Sequence, residues 1–141
     1  MMPNVLIVSF QREGMLYVNR AMMLGMDVRV LDCVENHHHK LVSWYGDKIL
    51  HTQGRRADVK RSVSKEQFDV AIIQEESNYV QTALITQSLF EAGINQIIVV
   101  TPDPTKRLLY RRCGANHTIV AANQEQAWSM VKRLLPTSVS A

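Results

Sequence analysis

Residues 68–100 read FDVAIIQEESNYVQTALITQSLFEAGINQIIVV. The stretch opens on an apolar, β-branched run, Asp69–Ile73, and closes on another, Gln96–Val100. Neither run alternates apolar with polar residues, as a half-exposed strand would. Unbroken apolar runs of strand length are expected where both faces of a parallel sheet are covered. Between them, Asn78–Ala92 carries Val80, Ala83, Leu84, Ser88 and Leu89 at helical spacing, which predicts one buried side. Asn78 is suited to cap this helix, and Gly93 to close it. A strand, a helix and a second strand joined by short links require a right-handed crossover between parallel strands.

The same rhythm extends in both directions. Downstream, Pro104 stands in the first turn of a helix over Thr105–Cys113, ended by Gly114. A strand at Asn116–Val120 and a helix at Gln124–Leu134 follow, stopped by Pro136. The tail, Thr137–Ala141, is expected to fray. Upstream lie a short helix at Ala57–Val63, a short strand at Lys48–His51 and a helix at Glu35–Tyr45 ended by Gly46. Before them come a strand at Asp27–Leu31 and a helix at Glu13–Leu24, with Leu16, Met23 and Leu24 at helical spacing and Gly25 closing it. Asn4–Ser9 is the first strand. The prediction is one α/β domain over residues 4–135, with residues 136–141 a disordered tail. It is a three-layer, doubly wound, Rossmann-like domain: six parallel strands ordered 3-2-1-4-5-6, with helices on both faces.

Composition narrows the function classes. The chain has 141 residues, 46% hydrophobic and 21% charged, the balance of an ordinary globular domain. No apolar run approaches the roughly 20 residues needed to cross a bilayer, and Met1–Asn4 lacks the basic start of a signal peptide. A cytoplasmic location and no direct membrane insertion are therefore expected. A net charge of +3 is too small for the basic stripe of a nucleic-acid binder. Basic residues do cluster at Arg55, Arg56, Lys60 and Arg61, and at Lys106, Arg107, Arg111 and Arg112. Solvated helix faces explain both clusters, and an anion site is the sharper alternative. Cys33 and Cys113 are far apart, which implies neither a disulfide framework nor a zinc site.

In this architecture ligands bind beyond the carboxyl ends of the strands, where strand order reverses. The loop there reads Ser9-Phe10-Gln11-Arg12-Glu13-Gly14. A dinucleotide fingerprint would be GxGxxG, and only its third glycine is present. Ser9 and Gln11 carry side chains where backbone amides would approach a pyrophosphate. The helix start still offers a positive dipole end, and Arg12 adds charge. Asp32 ends the second strand, the place of an acid that binds ribose hydroxyls and disfavours a 2′-phosphate; a turn-forming aspartate is the alternative. Glu75 and Glu76 follow the fourth strand as adjacent carboxylates, better read as a loop than as an acid–base pair. His37, His38 and His39 lie on a helix about 100° apart, so the three cannot share one metal ion, and exposed rings are expected. His51 and His117 have no evident partner. No nucleophile–base–acid set is present, so neither a catalytic residue nor a metal ligand is assigned.

With the strands laid out, the chain resembles the regulator of potassium conductance N-terminal domains (RCK, or TrkA-N), as a divergent member. FDVAII, an acidic loop, a long helix ending in AGI, and then QIIVVTPDPTKRLLYRRCGANHTIV (96–120) carry the likeness. Asp103-Pro104 and Gly114-Ala115 match family positions, as do Arg12, Gly14 and Asp32. The family's first two glycines are Ser9 and Gln11 here, its Gly-Asp pair after the third strand is Thr52-Gln53, and its helix asparagine falls at Gln81. The resemblance implies a domain that binds an adenine nucleotide (NAD or NADH, ATP or ADP, or AMP). The binding residues would be Ser9, Phe10, Gln11, Arg12, Gly14, Asp32, Gln53 and Glu75. It also implies a homodimer or higher oligomer and a membrane channel or transporter subunit as partner.

Two other readings stay open. GMDVRVLD (25–32) followed by GDKIL (46–50) is also similar to the domain that precedes ATP-grasp in ligases. Alternatively, the altered glycine loop marks a ligand-free scaffold that serves assembly alone.

Overall fold

The computed structural model describes residues 3–136; the predicted tail at Thr137–Ala141 lies outside them. The strands are β1 (Asn4–Val8), β2 (Asp27–Asp32), β3 (Ile49–His51), β4 (Val70–Gln74), β5 (Gln96–Thr101) and β6 (His117–Val120). The helices are α1 (Gly14–Met23), α2 (Glu35–Tyr45), α3 (Arg56–Glu66), α4 (Tyr79–Glu91), α5 (Arg107–Arg112) and α6 (Gln124–Lys132). The sheet order is β3-β2-β1-β4-β5-β6, and every pairing is parallel. This is the doubly wound order that the strand–helix alternation predicts.

The middle strands are apolar because helices cover both their faces. Val5 aligns with Val28 on one side and Val70 on the other, and all five residues of β4 are buried. On one face α1 packs on α6, where the Tyr17 and Trp128 rings meet edge to face at 6.3 Å. The Tyr17 hydroxyl donates to Gln124 Oε1. On the other face Arg56 at the start of α3 grips Glu91 of α4 through Nε (2.9 Å) and its terminal amine (2.6 Å). Part of each basic cluster is occupied in this way, since Arg61 pairs with Asp58 and Lys106 with Asp103.

The structure corrects two predicted helix faces. In α4, Val80 and Leu84 are exposed, whereas Thr82, Ala83, Ile85, Thr86, Ser88 and Leu89 are buried. Small polar residues can be buried there because they satisfy themselves locally. Thr86 Oγ1 donates to the Thr82 carbonyl (2.8 Å), and Ser88 Oγ to that of Leu84 (3.0 Å). In α1 the buried residues are Gly14, Tyr17, Val18 and Ala21, while Met23 and Leu24 face solvent. Boundaries shift by a few residues. β4 runs to Gln74, α3 extends to Glu66, and Pro104 begins a 3₁₀ turn, Pro104–Lys106, before α5.

Candidate functional site

The carboxyl ends of β1, β2 and β4 meet where strand order reverses, and the local packing there is dense. Ser9 follows β1 and is fully buried. Its hydroxyl donates to Gln74 Oε1 at the end of β4. Gly14 lies against it: a Cβ on Gly14 would fall 2.4 Å from Ser9 Oγ and 2.8 Å from the Tyr45 hydroxyl. Gly14 is therefore the close-packing glycine between α1 and the sheet. Phe10 is buried as well, its ring stacked on His37 with centroids 4.9 Å apart and planes at 17°. Around the start of α1, the amides of Gly14, Met15 and Leu16 donate to the carbonyls of Gln11, Arg12 and Glu13 at 3.0–3.1 Å. These turn bonds use donors that a helix N-terminus otherwise offers to an anion. Gln11 and Arg12 are exposed, and among the described residues Arg12 makes no ion pair.

Asp32 closes β2 with its side chain only 1% exposed. One carboxylate oxygen is hydrogen-bonded to His38 Nδ1 on α2. The Asp32 carbonyl accepts from the Thr52 amide (2.9 Å), and its register partner on β3 is His51. Beside it lies a hollow of about 180 Å³ lined by Asp32, Cys33, Val34, Glu35, His51, Thr52, Gln53 and Gly54. Burial first, then the Asp32 charge, pushes the Cys33 thiol up to about 12, which keeps it an un-ionised wall of that hollow at neutral pH. A second hollow of about 200 Å³ shares Cys33, Val34 and Gly54 with the first and is mostly apolar, with Val59, Leu84 and Ile85. Gln81 lines it too. Gly54 fits because a Cβ there would meet the Cys33 carbonyl at 2.8 Å.

The two adjacent carboxylates diverge. Glu75 accepts from Thr101 Oγ1 (2.9 Å) and from the Tyr110 hydroxyl, which turns it toward β5 and α5. Burial, then the Glu75 bond and charge, raises the Tyr110 hydroxyl well above the usual tyrosine range. Glu76 faces the other way, 3.5 Å from His37 Nε2. Asn78 caps α4 by accepting from the Gln81 amide (3.2 Å).

Of the eight residues singled out from the sequence, the structure brings Asp32 and Gln53 to one hollow. Ser9, Phe10 and Gly14 form a packed group at the end of β1, Gln11 and Arg12 stand on the surface, and Glu75 belongs to the β5 side. Two expectations about histidine need correction. His37 is half-buried between Phe10 and Glu76 rather than exposed. His51 has neighbours, its ring lying 4.8 Å from that of His38. Helical stagger separates His37, His38 and His39 as expected, but it cannot reveal that Asp32 and His51 converge on His38 from other elements. The available signal was an aspartate and a histidine at the ends of two predicted strands that neighbour each other in the sheet order.

No family model matches the chain, and no curated protein matches its sequence. Solved structures do match its fold. The NAD(P)-binding domain of an exopolyphosphatase-related protein from Archaeoglobus fulgidus superposes with a TM-score of 0.63 at 18% identity, over 93% of this chain and 98% of that one. The TrkA-N domain of the inner membrane protein ybaL from Escherichia coli gives 0.61 at 15% identity, over 96% and 98%. The fold is that of the TrkA-N and RCK domains. The GsuK channel bound to NAD also matches, at 0.61 and 14% identity, over 84% of this chain and 21% of the channel. Among the described residues no helix is long and apolar enough to cross a membrane.

A wider hollow, about 540 Å³, opens at the opposite end of the sheet between Asn4, Asp27, Asp47 and Glu66. Arg29 spans it, bonded to the Asp47 carbonyl (3.1 Å) and paired with Glu66 (3.5 Å). It lies at the amino ends of the strands, away from the loops that carry ligands in doubly wound sheets.

Proposed function

We propose that this chain is a regulatory domain that senses an adenine mononucleotide in the hollows beside Asp32. It acts in the cytoplasm as a homodimer or higher oligomer, attached to a cation channel or transporter. The observation that carries this reading is the pairing of two adjoining hollows at the end of β2. The polar one holds Asp32 for a ribose, and the apolar one offers Val34, Val59, Leu84 and Ile85 to a base. Two TrkA-N-fold neighbours are described by their binding of NAD or NAD(P), which supports a nucleotide. The packed group of Ser9, Phe10 and Gly14 favours a mononucleotide here, since a dinucleotide would have to cross the end of β1. Each hollow is smaller than the roughly 300 Å³ at which drug-sized ligand sites begin. For Asp32 to reach a ribose, the His38 ring, itself partly exposed, swings away.

The test is a thermal-shift panel of AMP, ADP, ATP, NAD and NADH. A ligand at 100 times its dissociation constant stabilises by about 2.7 kcal/mol. AMP is expected to stabilise at least as well as NAD, and Asp32→Ala to weaken AMP by about 1–3 kcal/mol, the scale of a hydrogen bond to a charged group. Stabilisation by none of the five would leave the assembly scaffold, a reading favoured by the Phe10–His37 stack and the Ser9–Gln74 bond.

A further inference from the structure

One buried carboxylate and two imidazoles meet at the mouth of the polar hollow. Asp32 ends β2, His51 is opposite it on β3, and His38 comes from α2. One ligand atom from each residue lies within 4.8 Å of the other two. The two rings are tilted by 54° with centroids 4.8 Å apart, so they converge rather than stack flat. Asp32 is almost wholly buried and its backbone is fixed in the ladder, whereas His38 is half-exposed and His51 exposed. A carboxylate at that depth requires a positive partner.

We propose that Asp32, His38 and His51 bind one divalent transition-metal ion, with zinc the best fit. Two imidazoles and a carboxylate suit zinc, cobalt or nickel, whereas magnesium and calcium favour oxygen-only shells. Zinc at 2.0–2.2 Å from its ligands places them about 3.4 Å apart in a tetrahedron. The Asp32–His38 pair is already closer than that and the widest separation is within 4.8 Å, so the site forms by rotating the His38 and His51 rings about a fixed carboxylate. The ion takes the place of the hydrogen bond between Asp32 and His38. Its fourth position faces the 180 Å³ hollow, where water or an oxygen of a small ligand completes the shell. The ion also ties β3, the shortest strand, and α2 to the end of β2. Neither of the other rings in the histidine run joins it: His37 stacks on Phe10, and His39 is exposed.

This inference does not rest on the nucleotide reading. An ion holds His38 beside Asp32, where a ribose needs the ring displaced, so the two occupants exclude each other, and the test keeps them apart. The full chain, without any affinity tag and stripped with a chelator, is titrated with Zn²⁺ by calorimetry and with Co²⁺ by visible absorption. The expected result is one ion per chain and tetrahedral Co²⁺ bands. Affinity should fall at least about tenfold in both His38→Gln and His51→Gln and stay unchanged in His39→Gln. Circular dichroism checks that each variant is folded, and both substituted rings lie outside the core. Absence of saturable uptake, uptake that survives His51→Gln, or an equal loss in His39→Gln overturns the site. AMP is titrated separately into the metal-free chain, so nucleotide binding can fail while the metal site stands, and the reverse.

Discussion

The two halves of the sheet are closed to different degrees. From β4 onward, the strand ends are tied down: Glu75 bonds Thr101 and Tyr110, and Asn116 Oδ1 accepts from the Ile97 amide (2.6 Å). Even the edge strand β6 buries Ile119. From β1 toward β3 closure weakens. No residue of β3 is buried, and the loops after β2 and β3 frame the hollows at Asp32 and Val34. On the proposed reading, the difference separates stability from ligand binding. The closed half supplies the packing that holds the fold, and the open half keeps polar groups and space that packing alone does not need.

The largest effect should come from the closed half. Ile98 is fully buried in β5, and Ile98→Ala is expected to cost about 2–5 kcal/mol by denaturant titration. Ile49→Ala in β3, where the side chain is only partly buried, should cost less than half of that. Equal losses would erase the contrast.

Gly14→Ala tests the packed group between the halves. The added methyl would meet Ser9 at 2.4–2.5 Å, so a loss of about 1–3 kcal/mol is expected. Adding Ser9→Gly to that variant should recover part of it. Additive losses in the double mutant would show that the two residues do not share the space.

A smaller effect is predicted at Tyr45, whose buried hydroxyl has no partner among the described residues. Burial, then the Glu13 charge, pushes this hydroxyl up from 10.0 to about 12. The folded chain thus keeps a proton that the unfolded chain has lost. Its contribution to stability is complete below pH 10 and declines as pH rises from 10 to about 12. Tyr45→Phe should be neutral or stabilising by up to about 1 kcal/mol near neutrality. The same variant should shrink the alkaline loss, read as the denaturation midpoint at about pH 8 and about pH 11. A steeper alkaline loss in Tyr45→Phe would contradict the assignment.

The legibility of the sequence follows the same division. Runs such as Asp69–Ile73 and Gln96–Val100 are apolar because they are covered on both sides, so sheet, order and crossovers are readable from them. The buried side of α4 is not readable, because Thr82, Thr86 and Ser88 hide their hydroxyls by bonding locally while Val80 and Leu84 face solvent. The position of Asp32 is legible as the end of β2. Its bond to His38 and its alignment with His51 are tertiary, and no spacing within α2 encodes them. Likewise, the missing glycines at Ser9 and Gln11 indicate a changed phosphate loop. Only the folded structure shows that Ser9 is sealed by Gln74 and that Phe10 fills the space against His37.

The account rests on ligand binding in the open half, beside Asp32. Titrating AMP into the isotope-labelled chain and following backbone amide resonances tests this most directly. The expected result is saturable shifts concentrated at Asp32–Glu35 and His51–Gly54, with the amides of Glu75 and Tyr110 unmoved. Shifts centred on the start of α1 and the Glu75 loop, or no saturable shift at all, would contradict it.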